Sequence, residues 1–157
     1  MVFLDSGFFI AYRNAKDDFH EHAKEILAKI VNREILKPYT CDYVLDEVVT
    51  RTRQKAGSVL AAEVGREILE SKNWTVQYAS KALISQCVAD CKGITQSDLS
   101  FTDQIVAAMA MNYAQKIVVT CDGRAIPHFK KTGLDVLRLM TNGEYQEQKE
   151  ARIRSKR

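Results

Sequence analysis

Short apolar segments alternate with amphipathic helical patterns along this sequence. The runs at 2–4 and 117–120 are apolar or β-branched, which is typical of buried strands. Between such runs, apolar residues recur three or four positions apart, and this spacing predicts helices. The alternation favours an α/β fold with a mainly parallel central sheet and helices on both faces. We predict strands near 2–4, 35–36, 74–78, 117–120 and 135–139.

The length of 157 residues suits one compact domain, and no linker or internal repeat divides the chain. We predict a domain over 1–140 and a charged tail over 141–157, which is either a short helix or disordered. No apolar run approaches the roughly 20 residues that span a membrane. The first residues lack the basic segment of a secretory signal. We therefore expect a cytoplasmic protein without a membrane partner.

Cysteine usage agrees with that location. None of the cysteines shows C-x-x-C spacing. Cys87 and Cys91 lie four residues apart and would share one face of a helix. They are interpreted as small buried hydrophobes, with a metal-binding pair as the alternative.

Four acidic residues occupy special places in the predicted elements. Asp5 and Asp122 each follow a predicted strand, and ligands of open α/β sheets gather at the carboxyl ends of strands. Asp103 lies in the first turn of a helix that Ser100 begins, and Glu47 lies within the third predicted helix. Clustered carboxylates repel one another, and a hard divalent cation removes that penalty. Such a cation can also activate water and stabilise charge on a phosphate.

Each acid also has a purely structural interpretation. Asp103 fits a capping box with Ser100, Asp5 fits a helix N-cap, and Asp122 before a glycine fits a turn. Glu47 competes with its neighbour Asp46, because a helix separates adjacent residues by about 100° and only one of them faces a given centre. Valines flank Glu47 at helical spacing, which favours Glu47.

These segments together resemble the PIN-domain family, and in particular its VapC-like toxin ribonucleases. The order and spacing of the blocks agree with the family pattern as far as about Leu139. The opening Asp-Ser-Gly replaces the Asp-Thr-Ser of many relatives, a mild change that leaves the acids intact. The matching blocks are VFLDSGFFIAY, DDFHEHAKEIL, CDYVLDEVVTRTR, SDLSFTDQIVAAMA and IVVTCDGRAIPHFKKTG.

The resemblance implies a set of roles for the residues in these blocks. The acidic quartet of the family, which holds Mg²⁺ or Mn²⁺, corresponds to Asp5, Glu47, Asp103 and Asp122. Neighbouring hydroxyl residues and an auxiliary acid correspond to Ser6, Thr102 and Asp98. The family hydrolyses RNA phosphodiester bonds, typically forms homodimers, and is neutralised by a cognate antitoxin protein.

The resemblance and the inventory of motifs lead to a first hypothesis, a metal-dependent toxin endoribonuclease. No histidine is placed for metal-free acid–base chemistry. The net charge of +3 is uninformative, but local basic residues are expected to steer RNA. The residues expected to do so are Arg51, Arg53, Arg124 and Lys130. The alternatives are a nuclease of RNA processing or decay, and a catalytically silent PIN-like module that binds RNA or protein. The intact quartet argues against the silent module.

Overall fold

The computed structural model describes residues 2–35, 38–91, 99–113 and 116–155. Five strands and eight helices occur in those residues. The strands are β1 (Val2–Leu4), β2 (Pro38–Cys41), β3 (Thr75–Gln77), β4 (Ile117–Thr120) and β5 (Asp135–Arg138). The helices are α1 (Ser6–Arg13), α2 (His20–Val31), α3 (Asp42–Ala56), α4 (Ser58–Glu70), α5 (Lys81–Asp90), α6 (Phe101–Met111), α7 (Ala125–Lys131) and α8 (Asn142–Arg154).

The described strands form one parallel sheet in the order β3-β2-β1-β4-β5. At the centre, Phe3 of β1 pairs with Tyr39 of β2 and with Val118 of β4. The chain adds β2 and β3 on one side of β1 and later adds β4 and β5 on the other. Because parallel crossovers are right-handed, the helices of these two halves lie on opposite faces. The carboxyl ends of β1 and β4 therefore meet where the strand order reverses, a preferred place for ligands.

The predicted α/β class is confirmed, and one strand was predicted in the wrong place. The runs at 2–4 and 117–120 are β1 and β4. The second strand was expected at 35–36, with Pro38 after it as its end or at its edge, but Pro38 is the first residue of β2. The first position of a strand tolerates a proline, which has no N–H to donate. Ile35 precedes the strand, and Leu36 lies outside the described residues.

Aromatic packing around α1 fixes the helix that follows the first strand. Phe8 and Phe9 are fully buried on this short helix. The Phe9 ring meets Trp74 edge to face, with the ring centroids 5.3 Å apart. The Tyr12 hydroxyl donates a 2.5 Å hydrogen bond to Glu67 of α4. Because α1 is apolar nearly all round, it is buried in the core and holds the turn at Asp5 in place.

A helix, α8, lies within the charged tail. It begins with a capping box in which Thr141 and Glu144 bond each other's backbone N–H groups. Tyr145 is its buried residue, and the Tyr145 hydroxyl donates a hydrogen bond to Glu25 of α2. A helix is thus present where the sequence left two alternatives, whereas the division of the chain at residue 140 stays a prediction. None of the helices in the described ranges has the length and apolar character to cross a lipid bilayer.

The buried His22 anchors the start of the tail. Its ring stacks on Tyr145, with centroids 5.3 Å apart and planes 15° from parallel. Its Nδ1 accepts a 2.8 Å hydrogen bond from the Met140 N–H. Burial lowers the pKa of His22 below its ordinary value, and nearby Glu25 opposes this shift only in part. The native state therefore holds a neutral imidazole.

We expect His22 to make the folded state less stable in mild acid. Below its ordinary pKa of 6.5, the unfolded chain takes up a proton that the native ring refuses, so stability falls as the pH falls. Denaturant unfolding at about pH 7.5 and about pH 5.5 measures the change. His22→Asn keeps an acceptor but cannot titrate, so its stability relative to the wild type should rise from about pH 7.5 to about pH 5.5. A difference between the two proteins that does not change with pH would contradict the assignment.

Candidate active site

A cavity of about 300 Å³ opens at the carboxyl ends of β1 and β4. Carboxylates from four separate segments line it, and these are the four that the sequence singled out. Two arginines, two serines and a partly exposed thiol also line it. The acidic lining residues are Asp5, Glu47, Asp103 and Asp122, and the others named here are Arg51, Arg124, Ser6, Ser100 and Cys121. We call this cavity the acidic cavity.

Asp5 lies at the base of the acidic cavity and is 3% exposed. It follows β1 and caps α1, because its Oδ1 accepts the Ser6 N–H at 2.7 Å. Its Oδ2 accepts the Thr120 hydroxyl at 2.7 Å. The pKa of Asp5 is raised to about 7, chiefly by burial and in part by the charges of Asp103 and Glu47, while these two hydrogen bonds oppose the rise. The N-cap interpretation is therefore correct for Asp5, but the side chain also lines the cavity.

Thr120 is the residue of this site that sequence reasoning missed. It is fully buried at the end of β4. Its hydroxyl donates to Asp5 and accepts the Asp122 N–H at 3.0 Å, so one side chain ties the two strand-end acids together. A threonine within a β-branched run is typical of a strand, so the sequence pattern alone indicated only a structural role for it. Its place directly before Cys121 and Asp122, at a strand end, was the available signal.

Glu47 enters the acidic cavity from α3, whereas its neighbour Asp46 is exposed. The Arg51 guanidinium, one helical turn further on, pairs with Glu47 Oε1 at 2.6 Å. Burial raises the pKa of Glu47, and Arg51 and a hydrogen bond with the Ser6 side chain oppose the rise. The helical spacing thus selected the acid that faces the cavity.

Asp103 reaches the acidic cavity from the first turn of α6 and is 7% exposed. Its Oδ2 accepts both the Ser100 N–H at 2.8 Å and the Ser100 hydroxyl at 2.7 Å. The Ser100 Oγ in turn accepts the Asp103 N–H at 3.1 Å, which completes a capping box. The structural interpretation of Asp103 is therefore right, and the carboxylate lines the cavity as well.

Asp122 follows β4 and lies at the rim of the acidic cavity. Its Oδ1 accepts the Arg124 N–H at 2.8 Å, and its Oδ2 pairs with the Arg124 guanidinium at 3.5 Å. Burial works to raise the pKa of Asp122, but the hydrogen bonds and charge of Arg124 outweigh it and lower the pKa. Asp122 thus has a cationic partner only two residues further along the chain.

Only some of the remaining predicted site residues lie at the acidic cavity. Ser6, Arg51 and Arg124 line the acidic cavity. Thr102, half-buried beside Asp103, does not line it, and Asp98 lies outside the described residues. The residues expected to steer RNA that lie away from the cavity are Arg53 and Lys130, both exposed.

Cys87 and Cys91 carry free thiols rather than a disulfide. The Cys91 thiol lies 3.4 Å from the Gln104 side-chain oxygen, and Cys87 approaches the Gln104 backbone oxygen at 4.0 Å. Cys87 is buried and Cys91 is exposed, so the expectation of two buried hydrophobes is right only for Cys87.

The acids share one cavity without forming a ready-made ligand shell. Across the described ranges, no three His, Cys, Asp or Glu side chains are grouped closely enough to hold a metal ion. Each carboxylate instead has its own hydrogen-bond or ion-pair partner in the protein. The partners are Thr120 and Ser6 for Asp5, Arg51 for Glu47, Ser100 for Asp103, and Arg124 for Asp122. These contacts offset the mutual repulsion in the protein alone.

Close packing joins α1 to the loop after β4. A Cβ built on Gly7 would lie closer than 3.0 Å to the Cys121 Sγ. Burial, together with the negative charges around it, raises the pKa of the Cys121 thiol to about 12, so the thiol stays protonated. A side chain at residue 7 would therefore require the Cys121 sulfur to move.

The arrangement of strands, helices and acids matches a known family of domains. The sequence model of the PIN domain matches residues 2–133. The chain belongs to the PIN-domain family. The matched range contains the four acids of the cavity and ends before α8 begins. No curated protein matches the sequence at a significant level.

Solved structures share the fold of this PIN domain. VapC20 of Mycobacterium tuberculosis, a toxin that cleaves the sarcin–ricin loop, is 24% identical, with a TM-score of 0.74 over 88% of this chain and 99% of that chain. A chain of FitAB bound to the IR36 DNA fragment is 14% identical, with a TM-score of 0.60 over 88% of this chain and 94% of that chain. At these identities the likeness establishes a common fold.

Gly7→Ala should destabilise the protein through its contact with Cys121. Overpacking typically costs about 1–3 kcal/mol, against which alanine gains up to about 1 kcal/mol in helix propensity. In a Cys121→Ala background the clash with sulfur is absent, and the same substitution should stabilise the protein by up to about 1 kcal/mol. A double-mutant cycle by denaturant unfolding measures the coupling free energy between the two positions. Additive effects would contradict a direct contact.

Asp5 should reduce the stability of the metal-free protein as the pH rises. Its folded pKa of about 7 exceeds the ordinary 3.8, so between these values the native state keeps a proton that the unfolded state releases, and stability is lost. This trend opposes that of His22, so the effect is measured as the difference between the wild type and Asp5→Asn in EDTA. The variant should gain in relative stability from about pH 4 to about pH 7. The exposed Asp46→Asn is the control, and a pH-independent difference for Asp5→Asn would refute the raised pKa.

Proposed function

We propose that this PIN domain is a metal-dependent endoribonuclease that hydrolyses RNA phosphodiester bonds, and that it is the toxin of a toxin–antitoxin pair. The observation that carries the proposal is the acidic cavity, in which four carboxylates from separate segments face one space. Helix capping accounts for Asp5 and Asp103 singly, but it does not require four mutually repelling acids to face one space where the strand order reverses. Membership of the PIN-domain family supports a nuclease.

The donor set of the acidic cavity fits a hard divalent cation. All four candidate ligands are carboxylates, and oxygen ligands of this kind suit Mg²⁺ or Mn²⁺. The residues that would hold the cation are Asp5, Glu47, Asp103 and Asp122. When bound, the cation would supply Lewis-acid stabilisation of the phosphate and a more acidic water. Binding would require Glu47 and Asp122 to exchange their arginine partners for the cation, and the positive charge of the cation would lower the raised pKa of Asp5.

The protein's own groups have distinct tasks in this proposal. Thr120 and Ser6 hold Asp5, and Ser100 holds Asp103, so the carboxylate oxygens keep a fixed orientation. The Arg51 guanidinium pairs with Glu47 in the protein alone. Once Glu47 turns to a cation, this guanidinium becomes available for a phosphate oxygen of the RNA.

Arg124 lines the cavity beside Asp122, in the loop after β4, whereas Arg51 lines it from α3. Two arginines from separate segments would give a polyanion two points of contact next to the acids.

The toxin context rests on structural likeness. VapC20 is a toxin that cleaves the sarcin–ricin loop, and FitAB was solved with DNA. We propose the corresponding partners for this chain, namely an RNA substrate and a cognate antitoxin protein, with assembly as a homodimer in the cytoplasm. A small gene beside this one that encodes a DNA-binding protein would support the toxin assignment over RNA processing or decay.

Cleavage of total cellular RNA by the purified protein tests the nuclease. We expect discrete fragments with Mg²⁺ or Mn²⁺ and none with EDTA. Asp103→Asn should reduce the rate at least about a hundredfold, because outer-shell partners of metals already contribute about 10- to 100-fold. The matched control is Asp46→Asn, which changes an exposed acid of α3 outside the cavity. An RNA hairpin with the sarcin–ricin sequence serves as a second RNA to test in the same assay.

Thermal unfolding supplies a readout that does not depend on catalysis. A cation that binds the native state raises the midpoint with concentration, and the rise should shrink in Asp103→Asn but not in Asp46→Asn. Metal-dependent stabilisation without RNA cleavage by the folded, inhibitor-free protein would favour the silent binding module. Cleavage that persists in EDTA would overturn the metal-dependent mechanism.

A further inference from the structure

A second cavity, of about 330 Å³, lies between α1, α3 and α4. Its floor is apolar, with Phe9, Val48 and Val64 buried beneath it. Leu60, which is 38% exposed, presents an apolar surface at its edge. We call this cavity the side groove. Its volume lies at the lower end of the range found for ligand pockets.

The rim of the side groove is basic. Arg13, Arg51 and Lys55 line it, all three exposed, and no acidic residue of the described chain is among its lining residues. Arg13 pairs with Glu67 at 2.9 Å, and Arg51 pairs with Glu47. The Arg13–Glu67 pair is partly exposed, and pairs of this kind are weak and exchange readily for a phosphate. A cationic rim attracts the phosphates of a nucleic acid, and an apolar floor offers contact area to a base or ribose.

The side groove continues the acidic cavity. Arg51 lines both spaces, so one side chain forms the boundary between them. Glu47, Arg51 and Lys55 follow one another at intervals of four residues along α3, and residues at this spacing share a side of a helix. They lead from the acidic cavity into the side groove over about 12 Å of helix. A polymer chain that leaves the acids on this side meets two cations in succession.

We propose that the side groove binds the segment of the RNA strand next to the cleaved bond. Arg51 and Lys55 contact successive backbone phosphates, and a base or ribose rests against Leu60 and the apolar floor. This inference rests on the proposed function, because the RNA is placed by the continuity of the side groove with the acidic cavity. An acidic peptide would also suit the rim, but that continuity favours the polymer whose phosphodiester lies among the acids.

Fluorescence anisotropy with a labelled single-stranded RNA, on the full chain in EDTA, tests the side groove without catalysis. Lys55→Gln should weaken binding and reduce the slope of log affinity against log salt by about 0.7, the value for one phosphate contact on a single strand. Leu60→Ser should weaken binding several-fold with no change of slope, because it removes an apolar contact. The salt slope separates a phosphate contact from a general structural effect.

Two matched variants control for composition and folding. Lys24→Gln makes the same charge change on α2, and Leu69→Ser makes the same apolar change at an exposed position of α4, both outside the two cavities. Both controls should bind RNA as the wild type does. Circular dichroism and thermal unfolding show that all variants are folded.

The outcomes separate this inference from the proposed nuclease. If the wild type cleaves RNA with metal but Lys55→Gln and Leu60→Ser bind it as the controls do, the side groove is not an RNA site and the nuclease stands. If the wild type does not cleave, loss of RNA affinity in both variants still supports the side groove. If the variants lose affinity only for an acidic amphipathic peptide, the side groove docks protein and the inference is overturned.

Discussion

A carboxylate buried at the junction of β1 and α1 is the constraint on which the acidic cavity depends. Removing the Asp5 charge from water is costly, and its neighbours among the acids add to that cost. The protein compensates with the Ser6 N–H and the Thr120 hydroxyl, and it holds the junction still with the buried aromatic residues of α1. The central sheet thus contributes directly to the site, because Thr120 at the end of β4 donates the hydrogen bond that stabilises Asp5 after β1.

Much of this arrangement followed from elementary patterns. Strand ends predicted the positions of Asp5 and Asp122, and helical spacing selected Glu47 over Asp46. Thr120 was missed because its role depends on which strands are adjacent, and spacing along the chain carries no information on strand order. The second strand was misplaced because a proline is compatible with either end of a strand, and only the pairing of Pro38 with Val2 decides between them.

The structural and functional interpretations of the acids turn out to be compatible. Asp103 completes a capping box and also faces the cavity; Asp5 caps a helix and also lies at the cavity base. A cap leaves part of a carboxylate available, because each oxygen has more than one lone pair. Local caps therefore allow the metal-free chain to fold with its acids already close to one another. In the proposed nuclease, the same caps would orient the acids toward a cation.

The contact between Gly7 and Cys121 has a consequence for how this chain varies among its relatives. A side chain at residue 7 needs space that the Cys121 sulfur fills. The two positions lie 114 residues apart in sequence (121 − 7), yet they share one fixed volume beside the acids. Homologous chains are therefore expected to change them together, with a serine or alanine at the first position accompanied by a smaller residue at the second. This pair should stand out as a covarying couple in an alignment, even though neither residue belongs to the acidic set.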